Sequence, residues 1–95
     1  MTPVEFRRHL HRHPELSFRE TENARFIAEA LREAGIPCRP IAGTGVLAKI
    51  EGRGDLRRAV VLRADIDALP IREQSGAAWS SENDGVMHAC GHDIH

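Results

Sequence analysis

Apolar and polar positions follow a helical period up to about residue 35 and a strand-like pattern beyond it. The first segment opens on Thr2-Pro3-Val4-Glu5. Thr serves as N-cap, proline takes the first helical position, and Glu stands three residues after the Thr, a capping box. The predicted helix ends near His13, because Pro14 disfavours helical backbone in the residue before it. Ser17-Phe18-Arg19-Glu20 offers a second capping box. Phe18, Ala24, Ile27, Ala28, Leu31 and Ala34 then share one helical stripe, and Gly35 is a natural stop.

Ile36 to Ile41 reads as a strand, confined to an edge by Pro37 and Pro40. Ala42-Gly43-Thr44-Gly45 is a turn, Val46 to Ile50 a second strand, and Arg53-Gly54-Asp55 the next turn. The continuous apolar run Ala59-Val60-Val61-Leu62 predicts a third strand, buried on both faces. A long loop follows. Helices first, then strands leading into a buried one, make the fold class α/β, one edge of an α/β sandwich. The third strand has too few neighbours in this sequence to be well covered, which suggests part of a larger fold.

Composition narrows the function classes. Ninety-five residues fit one small domain at most. Apolar residues at 41% and charged residues at 28% are ordinary for a globular chain. Thirteen basic and fourteen acidic side chains leave a net charge of -1, which gives no reason to expect nucleic acid or membrane as partner. No apolar run approaches the roughly 20 residues of a membrane span, and the start lacks the basic-then-apolar pattern of a signal peptide. The expected compartment is cytoplasmic, where a disulfide between Cys38 and Cys90 is not expected.

The six histidines fall in two clusters, His9, His11 and His13, and His88, His92 and His95. In His88-Ala89-Cys90-Gly91-His92-Asp93, thiolate and imidazole are strong ligands for zinc-like ions, and Gly91 lets the chain turn so that both converge. Asp93 or His95 could then hold the far nitrogen of a ligating imidazole. The residues alone leave two rivals open: a reactive thiol at Cys90 beside His92, and a solvated polar loop. Asp65 and Asp67 leave the carboxyl end of the third strand, where open α/β sheets place ligands. They read either as a metal ligand with its supporting partner or as caps of a turn before Pro70. His9 and His13 are one helical turn apart, a candidate metal pair. A structural role is favoured for this cluster, with His13 and Pro14 holding the helix end and Leu16 and Phe18 packing beneath. Cys38 reads as a small buried apolar residue.

Three stretches, LHRHPELSFRE (10–20), LRADIDALPI (62–71) and GVMHACGHDIH (85–95), carry a resemblance in their order and spacing. Together they resemble the N-terminal third or quarter of the catalytic domain of a metal-dependent amidohydrolase. The family is that of hippurate hydrolases, N-acyl-L-amino-acid amidohydrolases and auxin-conjugate hydrolases, within the aminoacylase and carboxypeptidase metallopeptidase superfamily. The resemblance implies that residues 1–95 are the N-terminal portion of a zinc-peptidase-like α/β/α sandwich, two helices then three strands. The rest of that domain and a lid or dimerisation domain would lie outside these residues. Cys90 and His92 fall on the family's first two metal ligands. Asp67 falls on an aspartate near the metal centre. Asp65 stands where other branches carry a histidine ligand, and His95 matches a histidine usual in this branch.

The implied cofactor is a pair of divalent ions, Zn2+ or Mn2+, and the implied reaction is hydrolysis of N-acyl amino acids or related small amides by metal-activated water. The implied substrate is a small molecule, and the family is often homo-oligomeric. The general-base glutamate and the remaining ligands are expected downstream of His95. No catalytic base is therefore assigned, and the chain is expected to be inactive alone. Two other classes remain open: a non-catalytic metal-binding or interaction module derived from that fold, and a thiol redox protein using Cys90.

Overall fold

The computed structural model of the chain describes residues 1–95. Helix α1 spans Pro3–Arg12 and starts as its sequence dictates. The Thr2 hydroxyl accepts the Glu5 N–H at 3.2 Å, and the Glu5 carboxylate accepts the Thr2 N–H at 2.7 Å. His13 closes the helix, and Pro14 behind it is fully buried.

Helix α2, Thr21–Glu33, does not start at the predicted capping box. Ser17 is not its cap. The N-cap position is Glu20, whose side chain makes no capping bond; instead the Glu15 carboxylate reaches over the intervening turn to accept the Asn23 N–H at 2.6 Å and the Glu22 N–H at 3.3 Å. Negative charge at these free amides also suits the helix dipole. The cause of the change lies at Leu16, which pairs with Ala68 in a parallel bridge. The chain then turns through Phe18 at a φ of 62°, so Phe18 sits outside the helical register and is 82% exposed instead of packing beneath α1. Its expected place is taken by Phe26, which stacks on His9 at 3.8 Å and on Phe6 at 5.3 Å between centroids. The other end of α2 follows the sequence. Gly35 adopts a φ of 74°, its N–H bonds the Arg32 carbonyl, and the Ile36 N–H bonds the Leu31 carbonyl. That is a Schellman stop.

Strands β1, Cys38–Ile41, and β2, Gly45–Ala48, form an antiparallel hairpin in which Pro40 faces Val46. The hairpin lies on α2. Thr44 donates its hydroxyl to buried Glu20, and the half-buried Cys38 thiol donates to the Ala28 carbonyl at 3.7 Å. Cys38 and Cys90 are both free thiols.

The expected third strand is not formed. Residues 59–62 have no sheet partner, and Val60, Val61 and Leu62 are 86–92% exposed. A strand exists only through its neighbours' hydrogen bonds and the layers that cover it, and these residues meet neither. The surface area agrees. It is 7367 Å², against roughly 5,500 Å² for a complete folded protein of 10.6 kDa. The radius of gyration is 14.7 Å, against roughly 12 Å for a compact domain of this length. The buried apolar core reduces to Leu10 and Ala68. The α/β character stands, as two helices and one hairpin.

The long loop of residues 72–86 folds back on α1. Arg8 lies over the Trp79 ring at 3.9 Å, the Glu82 N–H bonds the Arg12 carbonyl at 2.8 Å, and the Asn83 amide bonds the Pro14 carbonyl at 3.1 Å. The loop thereby satisfies carbonyls that the end of α1 leaves free.

Candidate metal centre

The three sequence stretches meet in space. The Glu15 carbonyl accepts the Ala68 N–H at 2.8 Å, and Leu69 exchanges backbone hydrogen bonds with Met87 at 2.9 and 3.0 Å. The first cluster is thus tied to the aspartate segment, and that segment to the Cys–His loop. The loop ends in a single 3-10 turn, His92–Ile94, entered through Gly91 at a φ of 85°. At that angle an L side chain is strained, so glycine here sets how sharply the chain turns between Cys90 and His92.

Asp65 organises this turn from one side. One carboxylate oxygen receives His92 Nδ1 at 2.7 Å, and the other receives His95 Nδ1 at 3.3 Å. The two rings stack with centroids 5.0 Å apart. The hydrogen bond from His92 is the main reason the Asp65 carboxyl is held below the usual aspartate range, with the His95 bond adding to it and burial opposing. His92 Nδ1 is thereby engaged while Nε2 has no hydrogen-bond partner, the orientation usual for a histidine that ligates a metal. The exposed Cys90 thiol lies on the same turn, and its Sγ accepts the His92 N–H at 3.5 Å. An exposed thiol and an imidazole with a free Nε2 are a donor pair that suits zinc-like ions. The pair stands alone: no three Cys, His, Asp or Glu side chains are assembled with metal-site geometry.

Asp93 does not hold a ligating imidazole, as its position beside His92 suggested. Its side chain, 1% exposed, turns to α1 and meets His11 Nδ1 at 2.7 Å and Arg7 Nε at 2.8 Å. His11 in turn bonds Glu73 through Nε2 at 3.0 and 3.1 Å. Burial would raise the Glu73 carboxyl, but bonds from the Ser75 hydroxyl, the Ser81 N–H and His11 outweigh it and hold it below the usual glutamate range. Sequence reasoning missed Glu73 and the role of Arg7. Their only signal was that a buried histidine needs partners, and which histidine is buried was not legible.

The remaining candidates are placed apart. Asp67 is half-buried and joins neither His92 nor His95, although its charge favours the protonated form of His88. His88 is 5% exposed with no partner at either ring nitrogen, and burial pushes it below the usual histidine range. His9 and His13 lie with ring centroids 4.6 Å apart. His9 stacks on Phe26 and is shifted downward, first by burial and then by the charges of His13 and Arg12. It serves to pack α1 against α2.

The family model described as Peptidase family M20/M25/M40 matches residues 61–95, the stretch that holds Asp65, Asp67, Cys90 and His92. An N-acetyl-L-cysteine deacetylase of Bacillus subtilis (strain 168) is 53% identical over 93 residues, which is 97% of this chain and 22% of that protein. An N-acetylcysteine deacetylase of the same organism is 50% identical over 94 residues, 97% of this chain and 24% of the relative. Among solved structures, the Bacillus subtilis YXEP protein, described as a dinuclear metal binding peptidase from the M20 family, superposes with a TM-score of 0.91 at 48% identity. It covers 98% of this chain and 26% of its own. The chain therefore spans about a quarter of the length of the relatives it matches. No helix is long and apolar enough to cross a membrane. By sequence and by fold, the chain is similar to about a quarter of the length of proteins described as belonging to peptidase family M20, and the model of peptidase family M20/M25/M40 matches its residues 61–95.

Proposed function

We propose that this chain supplies the opening half of the metal centre of an amidohydrolase that cleaves N-acyl amino acids, and that residues 1–95 are the N-terminal portion of its catalytic domain. Cys90 and His92 would ligate a divalent ion, zinc or manganese. The observation that carries the reading is the Asp65–His92 bond of 2.7 Å, which leaves His92 Nε2 free beside an exposed thiol. A bound divalent metal supplies Lewis acidity toward water and the amide carbonyl. This chain's own part is narrower. Cys90 and His92 donate electron pairs, Asp65 fixes the His92 tautomer, and His95 shares the same carboxylate. Asp67 adds negative charge nearby without ligating. No general base lies among these residues in position to act, so the chain alone would bind metal without turnover.

The test is a chimera in which these 95 residues replace the matching segment of the Bacillus subtilis N-acetyl-L-cysteine deacetylase. Acyl release from N-acetyl-L-cysteine that requires Zn2+ or Mn2+ is expected, and it should be lost in Cys90→Ala and His92→Ala. Full activity in either variant would overturn the assignment, as would rapid turnover by the 95-residue chain on its own.

A further inference from the structure

We infer that His11, which lies on α1 and outside the proposed ligand set, is a positioning residue: it holds the Cys90–His92 turn in place by gripping Asp93. The inference rests on the metal reading above and adds to it a residue far away in sequence.

Few bonds fix the turn. Inside it, the Ile94 N–H reaches the Gly91 carbonyl at 3.3 Å and the His95 N–H reaches the His92 carbonyl at 2.9 Å. The Asp65 side ties His92 and His95 to a segment that follows the exposed, unpaired residues 59–62. A second attachment, to α1, runs through Asp93. Of that carboxylate, Oδ1 is buried without a partner, and Oδ2 is met by His11 and Arg7. The Arg7 Nε contact is close at 2.8 Å but out of line for a hydrogen bond. His11 Nδ1 is thus the one aligned donor that Asp93 has.

The other face of His11 differs. Glu73 takes the His11 Nε2 contact but is also held by the Ser75 hydroxyl and the Ser81 N–H. Glu73 can lose His11 and keep two hydrogen bonds, whereas Asp93 would keep only its ion pair to Arg7. A neutral imidazole has one N–H and serves only one carboxylate as donor, while the imidazolium serves both. Arg7 and His11 face the two carboxylates of Asp93 and Glu73 in a site where His11 is 6% exposed. Charge-assisted bonds of this kind orient strongly.

The two ring nitrogens can be separated by substitution. The Asn amide nitrogen falls near the place of Nδ1 and keeps the Asp93 bond. The Gln amide nitrogen falls near the place of Nε2 and keeps the Glu73 bond. In the metal-free chain, His11→Asn should leave the backbone order parameters of Asp93 and Ile94 near the rigid value of about 0.85, and His11→Gln should lower them toward about 0.6. In a Co2+ titration followed by the thiolate-to-cobalt absorption, His11→Gln should weaken affinity about 10-fold or more, the range for partners that orient ligands, with His11→Asn close to wild type. A merely structural histidine predicts two equal variants, and that result would overturn the inference. Should either variant lose its helical circular dichroism, Asp93→Asn decides the matter by the same order parameters, and wild-type rigidity there overturns it. Should the wild-type chain show no cobalt–thiolate band, the metal reading fails, while the order parameters still decide whether His11 holds the turn.

Discussion

Replacing Asp65 by Asn removes one negative charge and little volume from the centre of the site. Asn can still accept a proton at one oxygen, but the bond from His92 loses its charge assistance, and the amide end cannot accept from His95. A hydrogen bond to a charged group is worth about 1.5–3 kcal/mol when buried. The Asp65 side chain is 19% exposed but that of His92 is 51% exposed, so solvent screens the pair. Roughly half of that value, about 1 kcal/mol, is the reasonable loss. About 1 kcal/mol corresponds to a roughly fivefold weaker metal affinity. Competition for Zn2+ with a chromophoric chelator measures it. Nitrogen NMR of the His92 ring supplies the cause, since Asp65→Asn should raise the share of the tautomer protonated at Nε2. Unchanged affinity with an unchanged tautomer would refute the reasoning, because Asp65 would then be a bystander to His92.

Three further outcomes follow from the same contacts. Glu15→Ala removes the cap of α2 and should cost about 1–2 kcal/mol, read as a fall of roughly 4–8 °C in Tm per kcal/mol; Ser17→Ala should cost little. Glu73 has a carboxyl depressed in the folded state, so its stabilisation is present above the ordinary glutamate pKa and is lost as pH falls through the folded value. Acid unfolding should therefore steepen below roughly pH 4, and Glu73→Gln should flatten that limb in a urea series across pH. Gly91→Ala meets open space but keeps a φ of 85°, so it should strain the turn by about 1–2 kcal/mol and weaken Co2+ binding roughly 5- to 30-fold.

What could be read from the sequence was local. The capping box at Thr2, the stop at Gly35 and the hairpin around Gly43 each depend on residues within a few positions, and each formed as expected. The start of α2 escaped because its cap comes from Glu15, whose reach depends on the Leu16–Ala68 bridge and hence on a segment some fifty residues away. Residues 59–62 carry the composition of a central strand, but composition cannot supply the neighbouring strands. The candidate site was partly legible. Cys90 and His92 stand two residues apart and could be paired by eye. The partner of His92 could not: Asp93 is adjacent in sequence, yet the 3-10 turn directs it to α1 and leaves the role to Asp65. The structural part expected of the first histidine cluster was placed on His13 and Pro14; His9 packs on Phe26, and His11 reaches the Cys–His loop through Asp93.

The proposed pairing of Cys90 and His92 on a metal ion is tested by Co2+ titration of the 95-residue chain. An intense near-ultraviolet thiolate-to-cobalt band is expected, saturating at one ion per chain, persisting in Cys38→Ser and vanishing in Cys90→Ser. No band in the wild-type chain, or a band that survives Cys90→Ser, would contradict the pairing.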